Sequence, residues 1–307
     1  MRREEAQQIS TFHLESPAKI NVGLRVLSRR IDGYHELESI FVPISFGDSL
    51  EISETPASEF GFTLTTENLL TGPARDAFES ASERGDITCN TVSKALAYLK
   101  ASPGAGLPPI QLNVHLKKRV PAGAGLGGGS SNAGIVLRFL RERGAKPESV
   151  RIAAIRAGAD VPFFLENHAA LATGVGEHLT AIEFPHGHGV LCLPDVFIST
   201  PEAYRGLKRP LQGGPISDSR TSFEGWQEWA RSLWTSADFM RNDFEEVAFR
   251  AHPELASVKQ AFQELGALAS LTGSGSALYG ILPGPADNLL QKMIERFPHY
   301  RFEPFHF

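Results

Sequence analysis

Residues 121–133 read Pro-Ala-Gly-Ala-Gly-Leu-Gly-Gly-Gly-Ser-Ser-Asn-Ala, with Gly123, Gly125, Gly127, Gly128 and Gly129 inside seven positions. Glycine lacks a Cβ, so such a run can adopt φ > 0 and press its backbone against a ligand. Successive N–H groups turned the same way make a concave anion site. Upstream, Ile110, Leu112, Val114 and Leu116 alternate with Gln111, Asn113, His115 and Lys117, the period-2 pattern of a half-exposed strand. Downstream, Ser130, Ser131 and Asn132 are helix-capping types. Ile135, Val136, Phe139 and Leu140 then recur at helical spacing, and Gly144 gives a stop. Strand, glycine run and helix in that order bring free N–H groups and a helix dipole to one point, which suits a phosphate.

Two common phosphate loops do not fit. A Walker A loop needs Lys-Ser/Thr after its last glycine, and no Lys follows here. Gly123, Gly125 and Gly128 satisfy G-x-G-x-x-G. A dinucleotide fold, however, opens with a strand buried on both faces, whereas 110–117 alternates as antiparallel strands do. It also wants an acidic residue ending a second strand about 20 residues on. The chain offers another helix instead, from Pro147 to Ala157, closed by Gly158.

The remaining pattern is α+β. Ile20, Val22, Leu24 and Val26 alternate with Lys19, Asn21, Gly23 and Arg25, and Asp32-Gly33 signals a turn. Strands are expected near 37–44, 49–54 and 60–66, a helix after Asn90, a hairpin near 169–184 and a strand at 190–193. Helices at 254–265 and 285–297 bracket a strand at 277–282. Trp226, Trp229 and Leu233 share one helix face, which reads as packing before it reads as a stacking platform. The expected division is an N-terminal domain over 1–170 and a C-terminal domain over 171–307.

With 307 residues, 42% of them hydrophobic, the chain can bury a sizeable core. A formal net charge of −5 disfavours a nucleic-acid surface. Lys117, Lys118 and Arg119 read either as help for a phosphate or as a solvated strand end. Two cysteines, Cys89 and Cys192, make no disulfide framework, and a reducing compartment fits. The N-terminus shows no signal-peptide pattern, and no run approaches the ~18 apolar residues of a membrane span. No membrane partner is therefore expected, the location is expected to be cytoplasmic, and the chain a monomer or weak homodimer.

Pro-x-Gly-x-Gly-Leu-Gly before a Ser-rich helix start resembles the phosphate loop of the galactokinase, homoserine, mevalonate and phosphomevalonate kinase (GHMP) superfamily. The longer Gly-Leu-Gly-Gly-Gly-Ser-Ser-Asn-Ala is similar to the branch that acts on 4-diphosphocytidyl-2-C-methyl-D-erythritol in the non-mevalonate isoprenoid pathway. Further segments match that branch in order: Ser16-Pro17-Ala18-Lys19-Ile20-Asn21, Asp32-Gly33-Tyr34-His35, Gly158-Ala159-Asp160-Val161-Pro162, Gly174-Val175-Gly176-Glu177, Asn242-Asp243-Phe244-Glu245 and Leu271-Thr272-Gly273-Ser274-Gly275. The resemblance implies a two-lobed fold with a ligand cleft between the lobes. It also implies transfer of the ATP γ-phosphate, with Mg²⁺, to a small-molecule cytidine diphosphate ester.

Roles follow by position. The loop residues Pro121, Ala122, Gly123, Ala124, Gly125, Leu126, Gly127, Gly128, Gly129, Ser130 and Ser131 would hold ATP, with Asn90 and Lys118 toward the adenosine. Asp160 precedes the apolar run Val161–Leu165. By itself it reads equally as a base or as a turn residue, and the matched motif makes it the catalytic base, with Lys19 beside it. Asn21, Tyr34, His35 and Tyr204 would contact the acceptor, although aromatics of this kind more often pack. Thr272–Gly275 reads either as a second backbone-rich turn at the ligand or as a tight connection alone. No magnesium ligand is identifiable. A non-catalytic sensor of the same superfamily would be marked by loss of the Lys or the Asp, and both are present.

Overall fold

The computed structural model describes residues 10–72, 74–76, 79, 90–209, 223–234 and 240–307. Its α+β architecture matches the expected class, and the chain divides into two compact units. Sequence reading cuts the chain once, at 170/171. The units instead interleave: Pro17–Phe46 and Pro121–Gly127 group with Asn167–Phe307, while Gly47–Val120 and Gly128–Glu166 group with the described residues through Ser16.

The first unit is a sheet covered by helices. Strand β1 (Ser10–Arg29) begins in it and β2 (His35–Pro56) ends in it. Strand β3 (Gly61–Asn68) runs parallel to β4 (Ile110–Lys118), and β4 runs antiparallel to the end of β2, with Ser49 opposite Lys117 and Leu50 opposite Leu116. The alternation seen in 110–117 is therefore a true two-faced strand. Leu112, Val114 and Leu116 face a core shared with helices α1 (Thr91–Lys100), α2 (Gly128–Glu142), α3 (Pro147–Ala157) and α4 (Val161–Glu166). Leu96, Leu99, Ile135, Val136, Phe139 and Leu140 fill that core. Each such side chain contributes roughly 1.5–3 kcal/mol of apolar burial. The separate strands expected at 37–44 and 49–54 form the single strand β2, because Gly47 and Asp48 continue the extended backbone between them.

The second unit holds the remainder of β1 and β2. Strand β5 (Ala170–Thr173) pairs antiparallel with β2 at Ser39–Phe41 and forms a hairpin with β6 (His178–Ala181). A separate antiparallel sheet has the order β10-β7-β9-β8, from β7 (His188–Leu193), β8 (Leu268–Leu271), β9 (Leu278–Leu282) and β10 (Arg301–His306). Helices α5 (Thr200–Gly206), α6 (Phe223–Arg231), α7 (Glu245–Ala251), α8 (Pro253–Glu264) and α9 (Asp287–Arg296) complete it. Trp226, Trp229 and Leu233 are buried, the two indoles meeting edge to face at 5.8 Å, so these aromatics pack. Cys192 is buried in the β7 core, which raises its thiol pKa, while Cys89 lies outside the described residues.

Candidate active site

The glycine run is a loop that turns into a helix. Gly123, Gly125 and Gly127 have φ of +72°, +76° and +70°, so the backbone needs glycine there. At Gly125 space demands it as well: a Cβ would stand 2.0 Å from the carbonyl oxygen of Thr272. Helix α2 begins at Gly128. Ser130, Ser131 and Asn132 therefore lie inside its first turns instead of capping it, because the last two glycines already take helical conformations. The first N–H groups of any helix lack partners within it, so α2 presents Gly128, Gly129 and Ser130 N–H groups at the end of the loop.

In the first unit the start of α2 is surrounded by other predicted residues. Asn90 caps α1, its Oδ1 accepting from Val92 N at 2.9 Å. The next residue, Thr91, puts its Oγ1 3.2 Å from where a Gly129 Cβ would be. Lys118 is buried beneath Gly128, a Cβ there standing 3.1 Å from its Nζ. Burial pushes the ammonium pKa below the usual lysine range, against the opposing effect of Asp48, whose Oδ2 accepts from it at 2.6 Å. Asp160 is half-buried in the short turn between α3 and α4. The same turn approaches α2, since a Cβ on Gly158 would lie 3.8 Å from Ser130 Oγ.

In the second unit Lys19 and Asn21 lie on buried β1. Lys19 Nζ donates to Asn21 Oδ1 at 2.5 Å and sits 4.7 Å over the Phe41 ring. Asn21 Nδ2 donates to Ser39 Oγ at 2.9 Å, which fixes the amide orientation. The strand is tied to the loop directly, Lys19 N donating to Leu126 O at 3.0 Å. A second tie runs through Thr272, whose Oγ1 accepts from Asn21 N at 3.1 Å and donates to Gly125 O at 3.1 Å. The 272–277 turn also binds the loop by Ala277 N to Ala124 O at 3.3 Å. Asn242 holds this turn from behind, its Nδ2 donating to Leu271 O and Gly273 O, both at 2.8 Å. Lys19, Asn21, the loop centre and the Thr272 turn are thus one bonded assembly.

The remaining predicted residues lie at the β1–β2 turn. Asp32 Oδ1 accepts from Tyr34 N at 3.1 Å, and Gly33 has φ of +89°. The Tyr34 side chain points outward, leaving the residue 65% exposed. His35 stacks on Tyr204 of α5, with centroids 4.7 Å apart and planes at 24°. Burial, with Arg29 and Arg209 nearby, holds its imidazole pKa below the usual histidine range. Tyr204 in turn meets Phe244 edge to face.

Sequence reasoning missed Asp48, Asn132 in its actual role, and Tyr279, whose buried hydroxyl donates to Asn21 O at 2.8 Å. Asp48 did leave a signal. In the inward series Ile44, Phe46, Asp48, Leu50, Ile52 it is the one acid.

Known proteins resemble this chain over most of its length. Residues 90–167 match the GHMP kinases N terminal domain, and residues 220–299 match the GHMP kinases C terminal family. A 4-diphosphocytidyl-2-C-methyl-D-erythritol kinase of Leptospira interrogans is 40% identical, covering 95% of this chain and 99% of that protein. Its counterpart in Leptospira biflexa is 38% identical over 94% of this chain and 97% of that one. A crystal structure of a 4-(cytidine 5'-diphospho)-2C-methyl-D-erythritol kinase superposes with a TM-score of 0.72 at 32% identity, covering 96% of this chain and 98% of that one. Homoserine kinase from Cytophaga hutchinsonii shares the fold at a TM-score of 0.63 and 17% identity, over 100% of this chain and 96% of that one.

Proposed function

The chain belongs to the 4-diphosphocytidyl-2-C-methyl-D-erythritol kinases, a branch of the GHMP kinases, and we propose that it transfers the γ-phosphoryl group of ATP to the 2-hydroxyl of 4-diphosphocytidyl-2-C-methyl-D-erythritol, giving the 2-phosphate and ADP. The observation that carries this reading is the bonded assembly of Lys19, Asn21 and the glycine loop. It sets a cation and an amide at a fixed offset from a loop suited to phosphate.

In the reaction the acceptor oxygen attacks the γ-phosphorus, its proton passes to Asp160, and the bond to the β-phosphate bridging oxygen breaks to release ADP. Phosphoryl transfer asks the protein mainly for positioning and charge stabilisation. Main-chain N–H groups of 122–131 hold the phosphates, with Asn90 and Lys118 on the adenosine side. Lys19 neutralises charge growing on the transferred group. Asn21 orients the acceptor, and Tyr34, His35 and Tyr204 receive its cytosine. Magnesium would accompany ATP and supply charge neutralisation on the phosphates during transfer. Among the described residues no three His, Cys, Asp or Glu side chains group to hold an ion. The working location is the cytoplasm, as a monomer or weak homodimer acting on small molecules. Among the described residues no helix is long and apolar enough to cross a membrane.

The test is a phosphotransfer assay with ATP and three acceptors: the cytidyl ester, mevalonate and homoserine. Transfer to the cytidyl ester alone is expected. Comparable turnover of mevalonate or homoserine would overturn the acceptor assignment.

A further inference from the structure

We propose that Asp48 is a positioning residue for the glycine loop, its carboxylate tying the strand that enters the loop to the helix that leaves it. Asp48 is buried, and its oxygens take four donors. Oδ1 accepts from Arg119 N at 2.7 Å and Val120 N at 2.8 Å, the two residues before Pro121. Oδ2 accepts from Lys118 Nζ at 2.6 Å and from Asn132 Nδ2 at 2.9 Å, the latter on the first turns of α2. An ionised carboxylate offers about four lone-pair sites, so the acceptor capacity is filled. Asn132 is braced from its other end, its Oδ1 accepting from Ser16 Oγ at 2.6 Å.

The consequence concerns the segment between the two anchors. A glycine-rich loop has more conformational freedom to lose than any other sequence. Ordering it on ATP binding would be charged against affinity, and preorganisation removes that cost. With both stems fixed to one carboxylate, the loop has little room to wander before ATP arrives. Bonds to a charged acceptor are about twice as strong as neutral ones, which suits an anchor. Asp48 acts through the loop, so its effect falls on ATP and spares the acceptor. This inference rests on the reading that the loop holds the ATP phosphates.

Two variants test it. Asp48→Asn turns one acceptor into a donor facing Lys118 and Asn132. Asn132→Ala cuts only the link to the helix and keeps the Asp48–Lys118 pair, so it decides the matter if Asp48→Asn does not fold. Steady-state kinetics and amide hydrogen exchange of residues 122–131 in the ATP-free protein are read together. The expected result is a rise of at least tenfold in KM for ATP, with the acceptor KM within twofold of wild type and faster loop exchange. Folded variants with unchanged loop exchange and unchanged ATP KM overturn the proposal, as does an equal rise in both KM values. Faster exchange with an unchanged ATP KM supports the tether and sinks the assignment of the loop to ATP.

Discussion

Two stretches of the same strand pair are built on opposite principles. In the middle of β1, Lys19 is 4% exposed and Asn21 is buried. Their polar groups are met by one another, by Ser39, by Thr272 and by the loop carbonyl of Leu126. At the tip beyond β1, Tyr34 projects its ring into solvent, anchored through its backbone by Asp32 and Arg30. On the proposed reading, the difference separates two tasks. Groups that act on reacting atoms need placement to within about 0.5 Å, which packing and saturated hydrogen bonds supply. A nucleobase is recognised through its flat faces, and an aromatic platform for it must stand open beforehand.

The largest effects should come from the groups proposed to act on the reacting atoms, Lys19 at the fixed end and Asp160. Asp160→Asn keeps the side-chain shape but cannot accept the proton, so kcat should fall by roughly 10²–10⁴ with ATP and acceptor still binding. Lys19→Ala should lower kcat as well, and the double variant should be little worse than the worse single one if the two act as a unit. Melting curves first establish that each variant folds. A folded Asp160→Asn protein with near wild-type kcat ends its assignment as base.

Asn21→Ala probes the same end through stability. It removes an acceptor from Lys19 and a donor to Ser39. Leaving buried polar groups short of partners costs about 1–3 kcal/mol, visible as a lower urea midpoint at unchanged m-value. An unaltered midpoint would mean that the polar assembly on β1 contributes nothing to holding the fold.

Tyr34→Ala attacks the open end and should give the reverse signature. Loss of a base-stacking contact is worth on the order of 1–3 kcal/mol, so the acceptor KM should rise by about tenfold or more. ATP affinity and the melting temperature should hold, because the ring is exposed. An equal loss for ATP and acceptor would move Tyr34 away from the cytosine.

The smallest effect is one of pH. Burial and the neighbouring arginines keep the His35 imidazole neutral at pH values where an ordinary histidine, near 6.5, takes up a proton. The acceptor KM should therefore be flat above that range and rise only at lower pH. Because the unfolded chain binds this proton first, stability should also decline as pH falls through the ordinary histidine range. His35→Gln should flatten both profiles; an unchanged KM profile in that variant would assign the low-pH rise to another group.

Much of this was legible before any coordinates. The alternation at 110–117, the helical spacing from Ile135 to Leu140 and the turn at Asp32-Gly33 are local signals, and each appears in the structure. The antiparallel pairing read from 110–117 holds only toward β2, since β4 runs parallel to β3. Ser130, Ser131 and Asn132 read as caps yet lie inside α2, because capping types signal a helix start only when no earlier residue can be helical, and Gly128 and Gly129 can. Asp48 was visible as an acid at an inward strand position, yet nothing local says what neutralises it.

What the chain determined by itself was therefore whatever repeats within a few residues: strands of period two, helices of period 3.6, a glycine loop that φ > 0 demands, and an ordered set of motifs that mark the family. Tertiary structure alone decided which groups meet. Asp48 finds Lys118 and Asn132 across 70 and 84 residues, and Asn21 finds Thr272 across 251. A hydrogen bond forms only when packing brings donor and acceptor to about 3 Å, and that closeness is set by how sheets and helices stack, a property no stretch of sequence carries in its own spacing.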